Sequence, residues 1–253
     1  MGTWSKNAVS DAAGAVKKLS RPGELLGSAV AYYRVQWRRL TSIVAIYAFG
    51  GFALQLLFQN GARLMAQSGG AFAAPVLLLV VIAAALAGAF LYLWGFTALL
   101  KALRDERLTW QGAYQEALVL IGSYALLVFL YALLVGAGFF LLVIPGFIAA
   151  VWFSFAGYVL VFEEARIVDC LRRSREYVRG RFWAVAWRHV AIFVMAIGAF
   201  VLLSFIFEIL ALPSVLHELL LVGASAVVAP ITSVYVLLLY RELKSLHNGK
   251  NSD

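Results

Sequence analysis

Glu163 and Glu164 stand side by side at the end of an apolar run, and the residues that follow supply Arg166, Arg172, Arg173 and Arg179. Carboxylates next to lipid are costly unless they are paired or wet. Arginine suits them, because its planar fork binds a carboxylate or a phosphate through two parallel hydrogen bonds. The set reads in two ways. It is either an ion-pair network that braces a helix end, or a site for an anionic headgroup beside a carboxylate gate. Arg34 and Arg38, next to Tyr33 and Trp37, are a second pair of headgroup candidates.

Glu208, His217 and Glu218 flank Pro213. Glu208 precedes the proline by five residues and Glu218 follows it by five. With a rise of about 1.5 Å per residue, the two carboxyls lie at similar depth on either side of a hairpin turn. They are candidates for a proton or ion relay. The spacing matches no metal motif, and no metal or cofactor is expected. Phosphate-binding glycine loops, His-Glu-x-x-His and Gly-x-Ser-x-Gly do not occur. Ser123, Ser154, Ser204, Ser225 and Ser233 fall in or near apolar runs, but His189 and His217 sit only at the edges of theirs. The expectation is a protein that is not an enzyme. The single cysteine, Cys170, excludes an intramolecular disulfide and a thiolate zinc site.

The elements that must position these residues follow from composition. Hydrophobic residues make up 63% of the 253 and charged residues 13%, against about 45–50% and about 25% in soluble domains. A helix crosses the hydrocarbon core with about 20 apolar residues. Such runs occupy 41–58, 73–100, 118–143, 147–162, 190–212 and 215–240. Backbone groups in lipid must be satisfied within each segment, so all six are expected to be helices, the fourth continuing past Phe162. The fold class is all-α: a polytopic integral membrane protein of six transmembrane helices.

Between these runs, 20 of the 21 Lys and Arg residues fall in segments that alternate as one side of the membrane, leaving Arg63 alone on the other. The positive-inside rule makes that side, and both termini, cytoplasmic. The net charge of +8 is then a topology marker and a match for anionic lipid headgroups rather than a sign of nucleic acid. Outer connections are short: the Ile144-Pro145-Gly146 turn, a turn at Pro213 and a loop over 59–72. Two cytoplasmic segments have amphipathic periodicity. Leu26, Val30, Tyr33, Trp37 and Leu40 form one stripe, with Ser20 as the helix cap, and Ile167, Leu171, Ser174, Val178 and Phe182 form the other. Tails over 1–21 and 246–253 bracket a membrane domain over 22–245. It divides into three hairpin units, about 22–100, 101–163 and 164–240, that read as a possible threefold repeat. Small residues crowd the second run, from Ala83 to Ala89, and the sixth, from Gly223 to Ala229, as in close helix packing. Pro230 is expected to kink the sixth.

The run Ile144-Pro145-Gly146-Phe147, then Trp152, Glu163, Leu171, Ser174 and Arg179-Gly180, resembles the membrane domain of bacterial glycerophosphoryl diester phosphodiesterases and its stand-alone six-span relatives. Arg175 and Tyr177 depart from that pattern, where an aromatic residue and Leu are usual. The resemblance implies a membrane fold in the bacterial inner membrane. The family's phosphodiester chemistry belongs to a separate soluble barrel. The expected function is the handling or translocation of a lipid or other amphipathic substrate at the cytoplasmic leaflet. The alternative is a scaffold that holds a protein partner or a second copy through its amphipathic helices.

Overall fold

The computed structural model describes residues 19–68 and 73–250. The expected N-terminal tail up to residue 18, residues 69–72 of the 59–72 loop and residues 251–253 lie outside the described residues. The described chain is helical, without strands: α1 (Pro22–Ser68), α2 (Ala73–Arg104), α3 (Trp110–Leu141), α4 (Val143–Trp152), α5 (Ala156–Glu163), α6 (Ile167–Val178), α7 (Phe182–Ile209) and α8 (Ser214–Lys250). Among the described residues, six segments are long and apolar enough to cross a membrane: Pro22–Gly61, Pro75–Arg104, Trp110–Leu141, Val143–Glu163, Phe182–Ile209 and Ser214–Gly249. The first combines the expected surface helix and the first apolar run, and its only non-helical residue is Gln36 (φ −116°, ψ 17°). α8 runs on through Pro230 as one helix.

The chain forms two compact units. Among the described residues, one comprises those up to Val35, Leu126–Met195 and those from Ile231; the other comprises those between Gln36 and Ala125 and Ala196–Pro230.

In the second unit, Arg39 ties α1 to the end of α2. Its guanidinium donates to the carbonyls of Ala102 (2.7 Å), Leu108 (3.1 Å), Asp105 (3.2 Å) and Glu106. The last carbonyls of a helix have no intrahelical donor, so one planar cation meets a need that several residues share. The Tyr114 hydroxyl donates to Ile43 O (2.8 Å), and Trp94 Nε1 donates to Tyr114 O (2.9 Å). The small residues of α2 are split. Ala83, Ala87 and Ala89 are exposed, whereas Ala84 and Gly88 are half-buried and, with Ala85, line a cleft against Gly51 and Phe58 of α1. The comparable stretch of α8 is half-buried to buried.

In the first unit, the turn between α3 and α4 is tighter than an Ile-Pro-Gly loop. Leu142 alone is extended (φ −163°, ψ 153°), and α4 begins at Val143. Pro145 lies in the first turn of α4, where a missing N–H costs nothing. The two helices then meet backbone to backbone: a Cβ on Gly138 would lie 2.8 Å from Gly146 Cα, and one on Gly146 would collide with the Phe139 ring.

The fourth membrane segment is interrupted. α4 stops at Trp152, residues 153–155 form a turn, and α5 runs only from Ala156 to Glu163. It does not continue past that point, because Glu164 is left-handed (φ 53°, ψ 32°). α6 then packs back against α4 and α5. The rings of Phe147 and Phe182 are 6.2 Å apart.

Overpacking a tight contact costs about 1–3 kcal/mol. Gly138→Ala should therefore lower the unfolding midpoint in detergent. Gly136→Ala, which meets nothing within 4 Å, should be neutral or stabilising by up to about 1 kcal/mol. Equal midpoints for the two variants would remove the close approach.

Candidate functional site

The interruption leaves two backbone groups without their helical partners. Ala156 N turns to Phe153 O (3.0 Å), so Trp152 O loses its donor. The Val151 carbonyl accepts from the Ser154 hydroxyl (2.9 Å). The hydroxyl of Ser174, on the buried face of α6, donates to Trp152 O (2.7 Å) and accepts from Phe155 N (3.2 Å). One side chain thus closes both open positions of the break, the form of repair that allows irregular backbone at membrane depth.

On either side of Ser174 along the same helix, Arg173 and Tyr177 reach Glu163. The carboxylate takes Arg173 Nη1 (2.7 Å), the Tyr177 hydroxyl (2.8 Å), the Tyr240 hydroxyl and Lys244 Nζ (3.1 Å). Its side chain is 6% exposed, whereas those of Arg173 and Lys244 are 44% and 37% exposed. Tyr240 is 2% exposed, and its ring lies about 6 Å from those of Phe155, Tyr158, Phe162 and Tyr177. Burial and the hydrogen bond to Glu163 both raise the Tyr177 phenol above its ordinary value, so it serves as a donor. The expected brace at Glu163 is therefore present, and it takes in the end of α8 as well as α6. Glu164 points the chain elsewhere through its left-handed backbone. Cys170, fully buried beside this cluster, has its thiol pushed up to about 11 by burial and by the nearby Glu163 charge.

The buried face of α6 consists of Cys170, Ser174, Tyr177 and Val178, with Ile167 and Leu171 half-buried. The expected stripe is thus largely kept and widened to take in Tyr177. The stripe of α1 is kept in part and widened: Leu40 is buried, Leu26, Val30 and Tyr33 are half-buried, and Leu25 and Ala29 beside them are buried, while Trp37 is 50% exposed. Ser20 is not the cap of α1 either. Arg21 holds that position, its N–H donating to the Glu24 carboxylate (3.0 Å), while the Ser20 N–H and hydroxyl donate to Glu242.

The outward face of α6 forms the wall of a cleft of about 270 Å³ lined by Trp152, Arg172, Arg175, Glu176 and Arg179. Arg175 lies over the Trp152 ring, its guanidinium carbon 4.5 Å from the centroid. Arg172 is held by Asp169 (2.9 Å) and, more loosely, Glu176 (4.0 Å). Of the other candidates, Arg34 is exposed, and Arg38 lies over its neighbour Trp37 at 5.5 Å. His217 pairs with the Ser204 hydroxyl (3.1 Å) and meets the Phe207 ring edge-on. Glu208 is exposed and Glu218 half-buried. No group of three His, Cys, Asp or Glu among the described residues is placed to hold a metal.

Arg188 was not singled out by the sequence. It is 9% exposed and binds Leu19 O (3.0 Å), Ser20 O and Ala184 O (2.7 Å). The Tyr235 hydroxyl donates to its carbonyl (3.2 Å). An arginine inside the first turns of an apolar helix was the available signal.

Compared with known protein families, with curated proteins and with solved structures, the chain matches none.

Ser174→Ala would orphan two backbone groups and should cost about 1–3 kcal/mol. Glu163→Gln removes the charge that Arg173 and Lys244 neutralise; with both cations partly in solvent, a similar loss of about 1–3 kcal/mol is expected. Maleimide labelling of Cys170 follows both. The native protein should label slowly at neutral pH and each variant faster, in step with its lowered midpoint. Unchanged labelling and midpoint in both variants would remove the brace.

Proposed function

We propose that this chain is a non-enzymatic protein of the bacterial cytoplasmic membrane, with both termini in the cytoplasm. It handles a lipid or another amphipathic molecule at the cytoplasmic leaflet and moves it between leaflets. The observation that carries this reading is that α6 folds back on an interrupted membrane segment. That packing brings unneutralised guanidiniums against an apolar, aromatic wall, a surface for a molecule that is both charged and greasy. The one-sided charge of the sequence supports the orientation. The resemblance around Trp152, Glu163, Ser174 and Arg179 supports a bacterial membrane setting, and in this chain three of those side chains either close the break or line the cleft.

A scaffold role is the second reading. Trp183 and Trp187, one turn apart at the start of α7, are 78% and 65% exposed and offer an aromatic face to a partner or a second copy.

Purified protein reconstituted into liposomes with a fluorescent phospholipid tests the first reading. Bleaching of the outer leaflet should be followed by continued loss of signal as label crosses, faster than in protein-free vesicles and slower with Arg175→Ala. Identical traces with and without protein would overturn the transport part of the reading. Dimer formation abolished by Trp183→Ala with Trp187→Ala would instead support the scaffold.

A further inference from the structure

We infer that the cleft between Trp152 and the outward face of α6 is a binding site for a phosphate group carried on an apolar tail. The inference rests on the reading of the chain as a handler of amphiphiles and names the chemistry its ligand must have. The three arginines lie at positions 172, 175 and 179, a spacing that sets them on one helix face. Arg172 is spoken for by Asp169 and Glu176. Arg175 and Arg179 hold no carboxylate partner among the described residues, so two guanidiniums remain for an anion.

Acceptor count chooses between anions. Glu176, also in the wall, repels any anion, and a bare carboxylate has only two acceptor oxygens with which to offset that. A terminal phosphate presents three oxygens and a higher charge, enough to engage both free forks at once. Arg175 is already placed, because its guanidinium carbon lies 4.5 Å from the centroid of the Trp152 ring, and it loses little freedom on binding. Trp152 is the one apolar residue of the lining and belongs to the apolar segment Val143–Glu163, so the chain on either side of it is the setting for glycerol or acyl carbons. A phosphomonoester headgroup, two-fold charged and without a further substituent, fits better than a diester.

The test uses the full-length protein in detergent, with unfolding temperature as readout and dihexanoyl phosphatidate, dihexanoylglycerol, dihexanoyl phosphatidylcholine and inorganic phosphate as probes. Phosphatidate should stabilise the protein at the lowest concentration, the diester should need more, and dihexanoylglycerol should do little. Arg175→Ala with Arg179→Ala should weaken phosphatidate about tenfold or more. Arg179→Gln alone, at an exposed side chain, should weaken it in the same sense and guards against misfolding of the double variant. Arg107→Ala should leave it unchanged. Equal stabilisation by phosphatidate and dihexanoylglycerol, or an arginine variant that binds as the parent does, overturns the inference and leaves amphiphile handling standing. Inorganic phosphate binding as tightly as phosphatidate keeps the anion site and overturns the lipid reading. No shift with any probe overturns the inference.

Discussion

A membrane segment that breaks its own ladder must find new partners for the groups it frees, and here one hydroxyl supplies them. Ser174 donates to Trp152 O and accepts from Phe155 N. In water the two groups would simply be solvated, but at the edge of a lipid phase each unsatisfied one costs several kcal/mol. The break therefore requires α6, and α6 must lie where its residue 174 meets residues 152 and 155. Everything else in this unit follows from that placement. A helix with charged residues in succession is pinned along its buried side, so its two ends and its outward face have fixed positions.

The Glu163 carboxylate makes the placement rigid. α6 supplies Arg173 and Tyr177, and α8 supplies Tyr240 and Lys244. A carboxylate with four donors from two helices acts as a rivet. It also separates the basic residues by role: Arg173 and Lys244 are consumed by the brace, whereas Arg175 and Arg179 remain for a ligand. That division is why a cluster that looks uniformly basic along the chain presents two chemistries on two faces. Arg188 and Arg39 do similar work elsewhere, each meeting several carbonyls with one planar cation, a task for which a lysine point charge is less suited.

Much of this was legible from residue types. Long apolar runs set off by charge fix helices because lipid leaves the backbone no other choice, but apolarity marks the span and not the helix: α3 begins at Trp110 rather than 118, α7 at Phe182 rather than 190, and α8 runs to Lys250 rather than 240. Glu163 among arginines announced a brace. The interruption at Phe153-Ser154-Phe155 was not legible. It contains neither proline nor glycine, and its aromatic residues suit a continuous span equally well. Its cause lies about twenty positions downstream in Ser174, a long-range partner that periodicity cannot register. The same limit hid the Ser20–Glu242 and Arg188 contacts. The small residues of α2 met the packing expectation only in part: in lipid they permit close packing without compelling it, and here Ala84 and Gly88 lie toward α1 while Ala83, Ala87 and Ala89 do not.

The central claim is that α6 folds back, so that the chain around Arg179 to Phe182 lies beside α4. The most direct measurement places cysteines at Phe147 and Phe182 in a Cys170→Ser background and treats native membranes with a short bis-maleimide. The account predicts an intramolecular cross-link in high yield, since the two rings are 6.2 Å apart. If α6 instead ran away from residues 143–163, the helical rise from Phe147 to Glu163 alone would hold the two positions more than about 20 Å apart. Absence of the cross-link, with both cysteines labelled singly, would contradict it.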